Sequence, residues 1–295
     1  MANSLLSHLR GRAPLPSPAI AARERLGQLA EQNPALREAA AIQSALLQAA
    51  YDRPIELAAP GLTPEQLAAK RAEGVPLLHG EPLALDQAAA EAMLLRLCAA
   101  AGPRLDRPTD AQAIVAALRR GRLQPAELLR QVLNGEAGAL HSQAAEQGLN
   151  GQLLGSLLRF SLFPALTELA AELVPKAGAA AWNQGYCPVC GSWPLLAEQR
   201  GLEQLRFMRC GLCAAEWQAD RLLCAFCGTR DHQQLGYLHV EGADHERAAT
   251  CEQCRGYLKV LASLAPLAPL ELVVQDLATL HLDMIALERG YMAPS

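Results

Sequence analysis

Four Cys-x-x-Cys brackets fall within 68 residues, and no other feature of this 295-residue chain limits its folding as tightly. They read CPVC at 187–190, CGLC at 210–213, CAFC at 224–227 and CEQC at 251–254, and they hold eight of the nine cysteines. A Cys-x-x-Cys turn aims two sulfurs at one point, and two facing turns place four thiolates near the corners of a tetrahedron. The 19 residues between the first and second brackets, and the 23 between the third and fourth, are each enough for a hairpin that brings the chain back. The spacing predicts two sites in chain order: Cys187, Cys190, Cys210 and Cys213, then Cys224, Cys227, Cys251 and Cys254. Pairing the first bracket with the fourth and the second with the third stays open. Gly191 and Gly228 follow their brackets, where a knuckle turn takes positive φ.

Other uses of these thiols fit less well. A thioredoxin-type dithiol needs one bracket opening a helix after a strand. Bacterial ferredoxin clusters need Cys-x-x-Cys-x-x-Cys, which is absent. Cys98 sits among Leu and Ala at helical spacing and reads as a small core residue. His232, His239 and His245 could replace a thiolate, but eight sulfurs already complete two sets; each reads as a loop or strand residue. Asp244–His245–Glu246 reads as a solvated turn, and Trp193 and Trp217 as covers for the ribbons' small cores. A four-thiolate site has no open position to activate water, so hydrolytic metal catalysis is disfavoured. No serine elbow, Walker loop or Gly-x-Gly-x-x-Gly occurs. The chain is therefore expected not to be an enzyme.

The rest of the chain sets the fold class. Up to residue 181 apolar residues recur at helical period, with candidate helices at 19–32, 35–53, 62–74, 85–102, 109–121, 124–134, 136–148 and 151–174. Thr63 reads as an N-cap ahead of Pro64. From Trp182 Gly, Cys and aromatics become dense, and LEQLRFMRC and QLGYLHV read as strands. Residues 265–290 return to helix, with Val273, Leu277, Leu280, Met284 and Leu287 as one apolar stripe and Asp276, Thr279 and Asp283 on another face. The expected architecture is mixed. An all-α helical N-terminal domain (1–181) is followed by two small rubredoxin- or zinc-ribbon-like β modules (182–218 and 219–260). A C-terminal helix (261–295) packs back on the body.

The opening MANSLLSHLRGRAPLPSP lacks the apolar core of an export signal, and the apolar stretch 152–173 is broken by Arg159, Pro164 and Glu168. These point to a cytoplasmic protein without membrane insertion, where thiols stay reduced. The net charge is −4, and residues 186–257 hold seven arginines against nine acids. That balance is the reverse of a nucleic-acid ribbon's.

GYCPVCGSWP (185–194), RCGLCAAEWQADRLLCAFCG (209–228), CEQCRGYLKVL (251–261) and DLATLHLDMIALERGY (276–291) together resemble the FdhE family of formate dehydrogenase accessory proteins. Beyond the brackets, the Glu-Trp after the second, the Tyr-Leu-Lys after the fourth and the acidic closing helix carry the resemblance. It implies a cytoplasmic factor required to form or activate respiratory formate dehydrogenase, contacting that enzyme's catalytic subunit before export. It further implies rubredoxin-like iron at the eight cysteines, with zinc as the alternative. A free rubredoxin-like electron carrier and a zinc-ribbon nucleic-acid binder are the rival readings.

Overall fold

The computed structural model describes residues 18–178, 181–243 and 245–293. The segment read as lacking an export signal lies outside them except for Pro18, as does Asp244 of the expected turn.

All eight helical windows form helices: α1 (Pro18–Gln32), α2 (Arg37–Asp52), α3 (Pro64–Ala72), α4 (Gln87–Ala101), α5 (Pro108–Arg119), α6 (Pro125–Leu133), α7 (Ala137–Glu146) and α8 (Gly151–Lys176). Their starts follow local chemistry. Thr63 and Gln66 form a reciprocal capping box ahead of α3, with Pro64 at the first position. The Asp86 and Asn150 side chains accept from Ala89 N and Leu153 N to cap α4 and α8. The 26-residue α8 packs against α2 to α7 as the central post of the bundle. By length and composition it could cross a membrane, but 61% of its most apolar window is buried inside the protein. It is a core helix.

The second half is one six-stranded sheet. It comprises β1 (Pro194–Arg200), β2 (Leu205–Cys210), β3 (Glu216–Ala219), β4 (Leu235–Leu238), β5 (Glu246–Cys251) and β6 (Tyr257–Ser263), in the spatial order β3-β2-β1-β6-β5-β4. The bracket pattern explains the order. Each half of the sheet runs knuckle, strand, strand, knuckle, strand, so β1–β2–β3 and β4–β5–β6 are two copies of one antiparallel unit. The copies join edge to edge where β1 runs parallel to β6, Leu196 opposite Lys259. Both joining strands are covered on both faces, which removes the alternation a half-exposed strand shows. The principal core cluster runs from Leu94 and Leu158 in the helices to Met208 and Val260 in the sheet, so the two halves share one interior.

The C-terminal region departs from the expected single helix. Pro266 and Pro269 delay its start, and it breaks into α9 (Glu271–Ala278) and α10 (Leu280–Glu288) at Thr279. The buried Thr279 hydroxyl donates to the Gln275 carbonyl at 2.7 Å. The apolar stripe is corrected accordingly. Leu277 is buried, but Leu280, Met284 and Leu287 are exposed, and Leu282 and Ala286 supply the buried face of α10. The break turns Asp276 and Asp283 onto the same ammonium, Lys259 Nζ, at 2.5 and 2.8 Å. In this structure α9 packs against α1, α2 and β1, and α10 against β4 to β6.

Candidate metal centres

The eight bracket sulfurs converge in two groups of four, Cys187/Cys190/Cys210/Cys213 and Cys224/Cys227/Cys251/Cys254, each with its sulfurs within 4.8 Å of one another. The grouping follows chain order, and the interleaved arrangement does not occur. Cross-bracket sulfur pairs lie 3.5 Å apart in the first group and 3.7 Å in the second. A disulfide would need ~2.05 Å. Four sulfurs ~2.3 Å from one tetrahedral ion stand ~3.8 Å apart, so the spacing suits a metal and not oxidation.

Local backbone geometry makes the convergence. In three knuckles the amide two residues after the first cysteine points at its sulfur: Val189, Leu212 and Phe226, each at 3.4 Å. The residue after the second cysteine turns to positive φ: Gly191 (+80°), Gly228 (+74°), but also Ala214 (+58°) and Arg255 (+57°). Glycine marked two of these four turns in the sequence. The other two carry a side chain in a conformation that costs L-residues ~1–2 kcal/mol, which the closed knuckle sustains.

The donor set fits a cation. Burial pushes the Cys187 and Cys213 thiols well up, while hydrogen bonding from Cys187, Cys210 and Cys213 holds Cys190 well down. In the second group burial raises Cys224 and Cys254, whereas the Thr229 amide and neighbouring thiols lower Cys227 against the pull of burial. Four sulfurs in such a space do not ionise together without a positive charge among them.

The two groups differ in setting. All four sulfurs of the first lie in buried residues, and its leading knuckle is tied to the loop between α3 and α4 by Leu77 N→Pro188 O and Leu78 N→Val189 O, both 2.9 Å. In the second, Cys227 and Cys254 are exposed. The two knuckle regions also touch. A Cβ at Gly185 would stand 1.6 Å from the Ala225 carbonyl oxygen, inside the third knuckle. Gly185→Ala is therefore expected to prise the two groups apart and to cost more than ~3 kcal/mol, because backbone cannot rotate away. Urea titration followed by tryptophan emission checks this, since all three tryptophans (Trp182, Trp193, Trp217) lie in this half.

The remaining sequence candidates fall as follows. Cys98 is a core residue, its thiol pushed up to about 11 by burial. His232, His239 and His245 are exposed and join neither group. Trp217 is buried on β3, and Trp193 stands half-buried in a row of edge-on rings, Trp182–Tyr186–Trp193–Phe226, with centroids 5.6–6.1 Å apart. The sequence did not reveal the buried charges of the sheet. Glu198, Arg206, Arg209 and Lys259 are each at most 5% exposed, and no spacing rule marks them. Arg206 reaches the Leu223 carbonyl at 2.9 Å and so fixes the link into the third knuckle.

A helical bundle carrying two fused knuckle–hairpin–knuckle units, each gathering four sulfurs, is a metal-site scaffold of the rubredoxin or zinc-ribbon kind. Comparison with known proteins narrows this. The FdhE central-domain profile matches residues 186–221, and the FdhE C-terminal-domain profile matches 222–295. Protein FdhE of Escherichia coli O127:H6 is 33% identical over 283 residues, covering 92% of this chain and 84% of that protein. An FdhE homolog of Stutzerimonas stutzeri is 39% identical over 148 residues, covering 42% of this chain and 47% of its own. The crystal structure of the FdhE protein from Pseudomonas aeruginosa superposes with a TM-score of 0.58 at 31% identity, covering 95% of each chain. The chain belongs to the FdhE family.

Proposed function

We propose that the chain is an assembly factor for respiratory formate dehydrogenase, acting in the cytoplasm on the catalytic subunit before export. In this reading the eight bracket cysteines hold two ions, and the helical unit (1–181), the two modules and the C-terminal segment form a rigid binding surface. The observation that carries it is the pair of four-sulfur groups, each with no corner left for a substrate, in a chain of the FdhE family. Iron at these positions would supply one-electron exchange with the client; zinc would supply bracing alone. The protein's own residues do the rest: knuckle amides stabilise sulfur charge, and the shared sheet fixes the two groups relative to each other. Catalysis by this chain is no part of the proposal.

Metal analysis with a visible spectrum on anaerobically purified protein tests the metal assignment, with two ions per chain expected. A colourless, metal-replete protein removes the rubredoxin-like carrier as a rival. Loss of the gene with formate oxidation unimpaired removes the assembly role. Chelation should be biphasic: the second group, with Cys227 and Cys254 at the surface, empties first, and the buried first group empties only as the sheet opens. Release of both ions at one rate would contradict the difference in setting.

A further inference from the structure

A cleft of about 530 Å³ opens between the helical bundle, the knuckles and the C-terminal helices, within the ~300–1,000 Å³ usual for ligand sites. Its floor is aromatic: Tyr186, Trp193 and Phe226, ring against edge, with centroids 6.1 and 5.7 Å apart. On the sheet side stand Asp276 and Asp283 with Lys259 between them. Two carboxylates against one ammonium leave one negative charge. Asp283 is satisfied by Tyr257 and Lys259, but Asp276 accepts through Oδ1 alone, and a third of its side chain meets solvent. On the opposite wall, exposed Arg159 of α8 makes no hydrogen bond or ion pair among the described residues.

We infer that this cleft is the client-docking groove, and that it takes an extended peptide segment bearing a lysine or arginine side chain. Aromatic rings and a carboxylate lining one cleft are a combination that holds an organic cation. Here the cation is directed to the Asp276 carboxylate, while Arg159 across the cleft meets main-chain carbonyls of the same segment. A cleft lined by charges of both signs fits an extended chain better than a flat protein surface. Two stretches that set this sequence apart from a generic thiol ribbon meet here: Tyr257-Leu258-Lys259 after the fourth bracket, and the Asp276/Asp283 pair of the closing segment. Phe226 donates its amide to Cys224 Sγ and Trp193 lies three residues beyond Cys190, so the knuckles hold the groove's floor in shape.

This rests on the assembly reading above and names the surface it uses. The experiment titrates purified formate dehydrogenase catalytic subunit into the full-length, metal-loaded protein and maps amide exchange with and without it. Ser156→Trp, from an exposed position on α8, fills the cleft without removing a native contact and is expected to weaken binding at least tenfold. Arg159→Glu, at an exposed and unpartnered side chain, is expected to weaken it severalfold. Gln112→Trp, in the separate groove between α4 and α5, should leave affinity unchanged. Metal content and unfolding midpoint should match wild type in all three. Overlapping synthetic peptides of the catalytic subunit should bind only where they carry a lysine or arginine. Wild-type binding that survives both cleft variants, with protection on another face, overturns the groove and leaves the assembly reading standing. Binding by peptides without a basic residue overturns the occupant. A wild-type protein that does not bind the subunit overturns the assembly reading, and the groove with it.

Discussion

Cys210→Ser is expected to empty the first four-sulfur group and unfold the sheet around it, whereas Cys254→Ser should weaken the second group and leave the sheet standing. Both changes swap one sulfur for oxygen, so surroundings decide the difference. Cys210 is fully buried at the end of β2, its amide bonded to the Ala215 carbonyl and its sulfur 3.5 Å from that of Cys190. A serine hydroxyl there ionises poorly, and no water can reach the corner it fails to fill. Structural ions in small thiol sites contribute ~10–16 kcal/mol of apparent binding energy. That is comparable to the ~5–15 kcal/mol total stability of a typical protein. Cys254 is exposed, so solvent can occupy its corner, and the rest of its knuckle stays pinned by Cys251 N→Gly256 O at 3.0 Å. The measurement is metal per chain together with urea unfolding read twice, by tryptophan emission for the sheet and by far-ultraviolet ellipticity for the helices. Cys210→Ser should also lower the helical midpoint, because Met208 and Val260 belong to the same core as Leu94 and Leu158. Two ions and a wild-type midpoint in Cys210→Ser would remove Cys210 from the ligand set.

The sequence carried the features that depend on short-range rules. Apolar spacing, Thr63–Pro64 and the proline boundaries placed eight helices, and bracket spacing grouped the sulfurs. What it hid depends on contacts far along the chain. β1 contains Glu198 in the middle of LLAEQR and shows no alternation because side chains on both its faces are buried, so neither propensity nor period marks it as a central strand. The positive φ at Ala214 and Arg255 follows from closing a knuckle and has no local signature without glycine. Across the helix break at Thr279, Lys259 takes the Asp276 carbonyl at 2.9 Å as well as the two carboxylates. An amphipathic reading of one segment cannot anticipate a strand residue 17 positions upstream.

Removing the Glu198 carboxylate should be the most damaging change outside the thiols. Glu198 is fully buried where the two sheet units join, and five donors converge on it. Arg200 binds both oxygens at 2.7 and 3.0 Å, Arg209 binds Oε1, and the Ser263 hydroxyl and Leu267 amide reach Oε2 at 3.0 and 3.1 Å. Arg209 in turn grips the Leu267 carbonyl at 2.9 Å, so one carboxylate fastens β1, β2, the end of β6 and the loop into α9. Glu198→Ala leaves Arg209, 3% exposed, with a charge and, among the described residues, no counter-charge nearer than the carboxylate of Glu216 at 4.0 Å. Stranding a buried charge in this way costs about 3–5 kcal/mol. Glu198→Leu with Arg209→Met removes both charges at similar volume, so the double variant should be more stable than the sum of the two singles by at least ~1 kcal/mol. Acid should act through the same group. Burial alone would raise this carboxyl, but the bonds from Arg200 and the charge of Arg209 overcome it and hold it below the ordinary range. A depressed folded-state value means that its stabilisation is complete above the unfolded carboxyl pKa of about 4.3 and is lost as pH falls through the lower folded value. The stability gap between wild type and Glu198→Gln should therefore stay constant from neutrality down to about pH 5 and close below that. A Glu198→Ala protein unfolding within ~1 kcal/mol of wild type would show that apolar packing between β1 and β6 closes the sheet without this carboxylate.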